Sequence, residues 1–341
     1  MNIGFRLKTG RDDVFIKWLE SIGENDRSYY IREALRNYLS NERSNNTVSN
    51  NASSLLAQAD KDDNEKRAEV IKRGEPTMTR QVKSATVNGV TLKYLRWGEG
   101  NSKRIMLVHG WTGFKEMWDN FAPLLVDNDF DVIALDLRGH GDSDKPEGEY
   151  SPEVFSKDLY ELARTVGWEK NYVLLGQSMG GYIVLDYALR YPESVLKLIP
   201  ANTSAYLGRN LFSRITWKII IAMYRKNPAK MMPKMLPKFF QYPVPQETID
   251  YFSSMSLKTA KHAGLSAINH CLKQNFEPQL SQIKVPTLVI SSEFDQKELR
   301  QATLHIHKSI SGSKLADIPK TGHLPFMENP ADFLKAIVDF V

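Results

Sequence analysis

The chain has 341 residues, 42% of them apolar and 25% charged, with one cysteine and a net charge of +5. That composition suits a sizeable core and two or three domains; it excludes a disulfide scaffold, and so modest a positive balance is not in itself a nucleic-acid signature. No run of 18 apolar residues occurs and the opening MNIGFRLKTG has no apolar h-region, so a cytoplasmic protein without stable membrane insertion is expected. In chain order, Ile3, Phe5 and Leu7 alternate with Asn2, Gly4, Arg6 and Lys8, the period of a strand. Phe15, Trp18, Leu19 and Ile22 then recur at helical spacing, and Ile31, Ala34, Leu35, Tyr38 and Leu39 do so again, with Ser28 as the N-cap of that second helix.

A strand and two helices in about 40 residues cannot bury their apolar faces alone. Two copies pairing their strands into an antiparallel ribbon would do so, which makes residues 1–43 a homodimerisation unit. The segment Arg27-Ser28-Tyr29-Tyr30-Ile31-Arg32-Glu33-Ala34-Leu35 and the element order resemble the ribbon-helix-helix DNA-binding family. The resemblance implies a ribbon presenting Asn2, Arg6 and Lys8 to a major groove, and a phosphate held at the helix start near Ser28. Residues 1–45 carry eight basic and seven acidic side chains. Non-specific DNA affinity is therefore weak unless Arg6, Lys8 and Arg11 cluster, and dimerisation without DNA binding is the alternative. Residues 44–80, from SNNTVSNNASS to DKDDNEKRAEVIKRGEP, hold few large apolar groups and read as a linker with a short helix near 64–73.

From residue 81 strands and helices alternate. Residues 82–87 and 90–96 flank the hairpin signal Asn88-Gly89. Strands follow at 104–108, 130–135, 171–175, 195–199, 287–291 and 314–318, with helices at 116–126, 152–166, 182–191, 297–309 and 330–340. The pattern predicts a mostly parallel sheet covered on both faces. Residues 202–278 are helix-rich and strand-poor, an insertion expected over the carboxyl ends of the strands. The organisation is thus 81–201 and 279–341 as one core, interrupted by a helical cap at 202–278.

Gly176-Gln177-Ser178-Met179-Gly180 lies between an apolar strand and a helix. The flanking glycines permit a sharp turn that lifts the serine hydroxyl clear of the sheet, where a histidine can activate it. His323, in Thr-Gly-His-Leu-Pro after the last strand, and Asp295, in Ser-Glu-Phe-Asp after the strand before it, fall on loops at the same edge. The order Ser178, Asp295, His323 is the order of α/β-hydrolase triads, and Glu293 is the alternative acid. Amides of Met179 and of Trp111, in His109-Gly110-Trp111-Thr112-Gly113, are placed to hold an oxyanion.

With HGWTG, DLRGHGDSD at 136–144, GQSMGG, Asp295 and His323 together, residues 81–341 resemble the α/β-hydrolase superfamily, in its serine esterase and lipase-like branch with a helical cap. The resemblance implies an eight-stranded α/β-hydrolase fold and a conformational, non-catalytic role for His140. It departs where a proline often follows the acid, since Asp295 is followed by QKELR; the position after the earlier strand where some relatives carry the acid is Asn202. A serine at the elbow argues against dehalogenase and epoxide-hydrolase chemistry. Ester, thioester or lactone cleavage through an acyl-enzyme, without metal or organic cofactor, is the expected activity on a small-molecule substrate. His305 and His307, two apart on a helix, point to different faces, and Cys271 reads as a small buried apolar group. Between residues 197 and 246 lie nine lysines and arginines and no acid, with Met231, Met232 and Met235 among prolines. This suits an adaptable acyl pocket, a cover that touches anionic lipid, or a cap whose lysines are simply solvated. The competing assignment for the whole chain is a DNA-binding regulator whose hydrolase-like part senses a ligand.

Overall fold

A computed structural model describes residues 80–341. The ribbon-helix-helix unit at 1–43, with Asn2, Arg6, Lys8 and Ser28, and all but the last residue of the 44–80 linker lie outside the described residues.

The apolar runs form β1 (Gln81–Val87), β2 (Val90–Trp97), β3 (Lys103–Val108), β4 (Phe130–Leu135), β5 (Tyr172–Gln177), β6 (Val195–Ala201), β7 (Leu288–Ser292) and β8 (Lys314–Ile318). They make one eight-stranded sheet ordered β1-β2-β4-β3-β5-β6-β7-β8, antiparallel at β1/β2 and β2/β4 and parallel elsewhere. Asn88 and Gly89 both take positive φ, 46° and 76°, as a two-residue hairpin turn that matches strand twist requires. Successive residues of the central strands feed two cores. Met106, Val108, Ile133, Leu135, Tyr172 and Leu174 point to one, and Ile105, Leu107, Val132, Ala134, Val173 and Leu175 to the other. Burial on both faces is why these strands read as unbroken apolar runs.

Helices α1 (Ala122–Val126), α2 (Pro152–Thr165) and α3 (Met179–Arg190) follow β3, β4 and β5. The stretch 116–126, expected as one helix, is instead a 3-10 turn at Lys115–Trp118 and the short α1. Pro123 has no amide hydrogen for an interior helical bond, so the helix restarts with the proline in its first turn. Between β6 and β7 lie α4 (Leu211–Lys226), α5 (Pro228–Met235), α6 (Gln246–Ser256) and α7 (Lys261–Lys273), with a 3-10 turn at Leu236–Phe239. Then α8 (Lys297–Ser309) precedes β8, and α9 (Pro325–Glu328) and α10 (Pro330–Val338) close the chain.

β3 runs to β4 on one side and β4 returns to β5 on the other. The carboxyl ends of β3 and β5 therefore flank the point where strand order reverses, where open α/β sheets bind ligands.

Candidate active site

Ser178 caps α3 directly after β5 with φ 55° and ψ −118°, a left-handed conformation that non-glycine residues adopt at a cost of roughly 1–3 kcal/mol. Its surroundings hold it there. Its N–H donates to the Ala201 carbonyl (2.9 Å), and its own carbonyl accepts from the Tyr182 amide (3.1 Å) and the Thr203 hydroxyl (2.6 Å). A Cβ on Gly176 would lie 2.2 Å from the Gly180 carbonyl oxygen, and one on Gly180 2.2 Å from that of Val108. The turn is tight enough that the motif's glycines have no substitute.

The turn after β3 approaches this elbow closely; a Cβ on Gly110 would meet Ser178 Cβ at 3.0 Å. The turn is closed by Gly113 N–H to the Gly110 carbonyl (3.0 Å) and holds Thr112 at φ 56°. His109, fully buried, fixes its shape. Its Nδ1–H donates to the Gly110 carbonyl (2.8 Å) and its Nε2 accepts from the Leu137 amide (3.1 Å). Burial pushes this imidazole down to about 4, so it stays the neutral tautomer those bonds need. The amides of Trp111 and Met179 have no acceptor among the described residues, and Met179 opens a helix, where N–H groups lack intrahelical partners.

His323 lies between β8 and α9 and Asp295 between β7 and α8. Both are buried, and His323 Nδ1 sits 3.1 and 3.2 Å from the two oxygens of Asp295. The remaining acceptor capacity of the carboxylate is filled by the Asn202 side-chain amide (2.9 Å, to Oδ2) and the Gln296 backbone N–H (2.8 Å, to Oδ1). Nδ1 is thereby committed to the carboxylate, leaving Nε2 as the free basic position. Glu293 is exposed and accepts from the Lys320 amide (2.9 Å), making no bond to His323. Ser178 and His323 line one cavity of about 840 Å³, together with Trp111, Met179 and apolar side chains of the 202–278 segment, among them Met231 and Met235.

Four contributors were not foreseen. Gln177, beside the serine and fully buried, donates from Nε2 to the His323 carbonyl (2.9 Å) and ties the elbow to the histidine loop. Asn202, at φ 47°, holds Asp295; its place after β6 was noted in the sequence but not its partner. Glu328 accepts from Gly322 (2.7 Å) and Gln241 (2.6 Å), and burial raises its pKa although these donors oppose the rise. Lys115 is buried with Nζ on Asp136 (2.8 Å), Asp142 (2.7 Å) and Glu116 (2.8 Å). Burial, the largest single influence, would lower its pKa, but the Asp136 charge and the hydrogen bonds to Asp136, Asp142 and Glu116 together outweigh it and hold the ammonium charged. Trp111 is both wall and packing. It lines the cavity, donates from Nε1 to the Gly264 carbonyl (2.8 Å) and has its ring 4.8 Å from Tyr224.

His140 is buried with its Nδ1 on the Arg138 carbonyl (3.0 Å) and is not among the residues that line the cavity of Ser178. Cys271 is buried, and its thiol is pushed up to about 12 by desolvation. No group of three or more His, Cys, Asp or Glu able to hold a metal occurs among the described residues. None of their helices is long and apolar enough to cross a membrane.

A family model described as the alpha/beta hydrolase fold matches residues 103–330, and the chain belongs to that family. It is similar to the AB hydrolase superfamily protein YisY of Bacillus subtilis, at 25% identity over 71% of this chain and 92% of that one. It is similar to Lipase 1 of Psychrobacter immobilis, at 26% identity over 73% and 80% of the two chains. Among solved structures, the enol-lactonase of Burkholderia xenovorans superposes with a TM-score of 0.68 at 25% identity, over 76% of this chain and 99% of that one.

Proposed function

We propose that this α/β-hydrolase cleaves a carboxylic ester, or a related thioester or lactone, through an acyl-enzyme on Ser178. The observation that carries the reading is the buried Asp295–His323 pair, whose histidine shares a cavity with a serine held at φ 55°. Nε2 of His323 takes the Ser178 proton as Oγ attacks the carbonyl carbon, and Asp295 holds the imidazole in that tautomer and stabilises its charge. The Trp111 and Met179 amides receive the oxyanion, each such donor lowering the barrier by about 3 kcal/mol. The protonated His323 then gives its proton to the leaving alcohol, thiol or ring oxygen. Water, deprotonated by the same nitrogen, hydrolyses the acyl-enzyme. An 840 Å³ cavity lined by Met and aromatic side chains supports a medium-sized apolar acyl group. The names of two similar proteins, a lipase and an enol-lactonase, point to the same bond class. The test is turnover of a panel of esters, lactones and thioesters, with Ser178→Ala as control. Turnover that the variant lowers by about 10⁴-fold or more supports the reading, and turnover unchanged in the variant refutes it.

The dimerising or DNA-binding role of residues 1–43 is a separate proposal resting on their sequence pattern. A salt-sensitive DNA mobility shift weakened by Arg6→Ala supports the ribbon contact, and an unchanged shift removes it.

A further inference from the structure

Helix α4 carries two different faces. Ile221 and Tyr224 are buried, and Trp217 and Ile220 line the cavity. The opposite side carries Leu211, Ile215, Ile219 and Met223, each four residues from the last, with Phe212 beside the first. All five are between 48% and 73% exposed. Along one flank of this stripe run Arg214, Lys218 and Arg225, at i, i+4 and i+11, and Lys226 closes its end. The other flank is the mouth of the cavity, since Phe212 and Met223 also line it. From residue 202 to 246 there are eight basic residues and no acid. Lys218, Arg225, Lys226, Lys230, Lys234 and Lys238 form no ion pair among the described residues.

We propose that this face docks on an anionic lipid surface. A row of aliphatic side chains about 18 Å long needs an apolar phase, and the cations beside it need anions at the boundary of that phase. A nucleic acid or an acidic peptide answers the charge and leaves the aliphatic row in water. A second copy of this chain answers the row but sets one uncompensated cationic flank against another. A bilayer with anionic headgroups answers both, and it leaves the cavity mouth at the headgroup level. The proposal does not depend on the chemistry of Ser178.

Sedimentation of the full chain with phosphatidylcholine vesicles, with and without phosphatidylglycerol, tests it. The expected result is binding to the phosphatidylglycerol vesicles that weakens as salt rises. Lys218→Glu/Arg225→Glu should lower the partition coefficient at least about twentyfold, because each basic residue near such a surface contributes roughly fivefold. Ile215→Ser/Ile219→Ser should lower it about tenfold or more. Neither pair lines the cavity, so turnover of a short soluble ester and the unfolding midpoint should stay as in the parent, and Ser178→Ala should bind vesicles normally. Absence of binding, equal binding to both vesicle types, or binding indifferent to both pairs overturns the proposal. So does light scattering in which the Ile215→Ser/Ile219→Ser pair dissociates an oligomer, which would assign the stripe to a second copy.

Discussion

Ser178 keeps its strained backbone because two hydrogen bonds at and just after the end of β6, with Ala201 and Thr203, and one from Tyr182 within α3 hold the peptide on either side of it. The same economy governs the acid. Asp295 is buried, and its orientation depends on Asn202, whose amide meets the oxygen that also faces His323. Asn202→Ala removes one neutral-to-charged hydrogen bond, of about 1.5–3 kcal/mol, from the ionised carboxylate. The expected outcome is a fall in kcat of about tenfold or more with little change in KM for a short ester, read by steady-state kinetics. The placement of Ser178, Asp295 and His323 beyond the ends of β5, β7 and β8 was legible because each sits in a short local pattern at a strand end. Asn202 and Gln177 were not, because their partners lie 93 and 146 residues away and an amide side chain carries no local sign of what it will hold.

At the scale of elements, two charged side chains, a buried lysine and a half-buried glutamate, join loops that the sheet alone would leave apart. Lys115 bridges the turn after β3 to Asp136 and Asp142 after β4, and a Cβ on Gly141 would meet the Asp136 carboxylate at 2.2 Å. Lys115→Met strands Asp136 as a buried charge and should cost about 3–5 kcal/mol, measured by urea unfolding. Nothing in the sequence singled out this lysine; in a polar loop it reads as solvated, and only the packing of two loops excludes water from it. Glu328 joins the segment after the Leu236–Phe239 turn to Gly322, next to His323, whose own N–H donates to the Phe239 carbonyl (2.7 Å). A glutamine keeps one acceptor oxygen and turns N–H donors toward the other amide. Glu328→Gln should therefore lower kcat several-fold and stability by about 1–3 kcal/mol, checked by ester kinetics and thermal unfolding. The central strands were legible because both their faces are buried. The broken helix at 115–126 was not, because its periodicity is intact and Pro123 alone interrupts it.

For the whole molecule, the two buried imidazoles set an acid limit. Burial lowers His109 to about 4 and His140 to about 3, the latter aided by the neighbouring His109 ring at 5.1 Å. Below the ordinary histidine value of about 6.5 the unfolded chain takes up protons that the folded chain refuses, so stability is fully present above that value and is lost as pH falls toward 4. The His109 shift alone corresponds to about 3 kcal/mol. The urea midpoint should fall steadily from pH 7 to pH 4; a flat profile across that window would show that these rings are not buried neutral. The enzymatic reading of the molecule is tested most directly by intact-mass analysis after exposure to a fluorophosphonate. A single adduct mapping to Ser178, absent in Ser178→Ala and formed far more slowly in His323→Ala, is the predicted result. No adduct on the parent protein, or an adduct that survives Ser178→Ala, would contradict it.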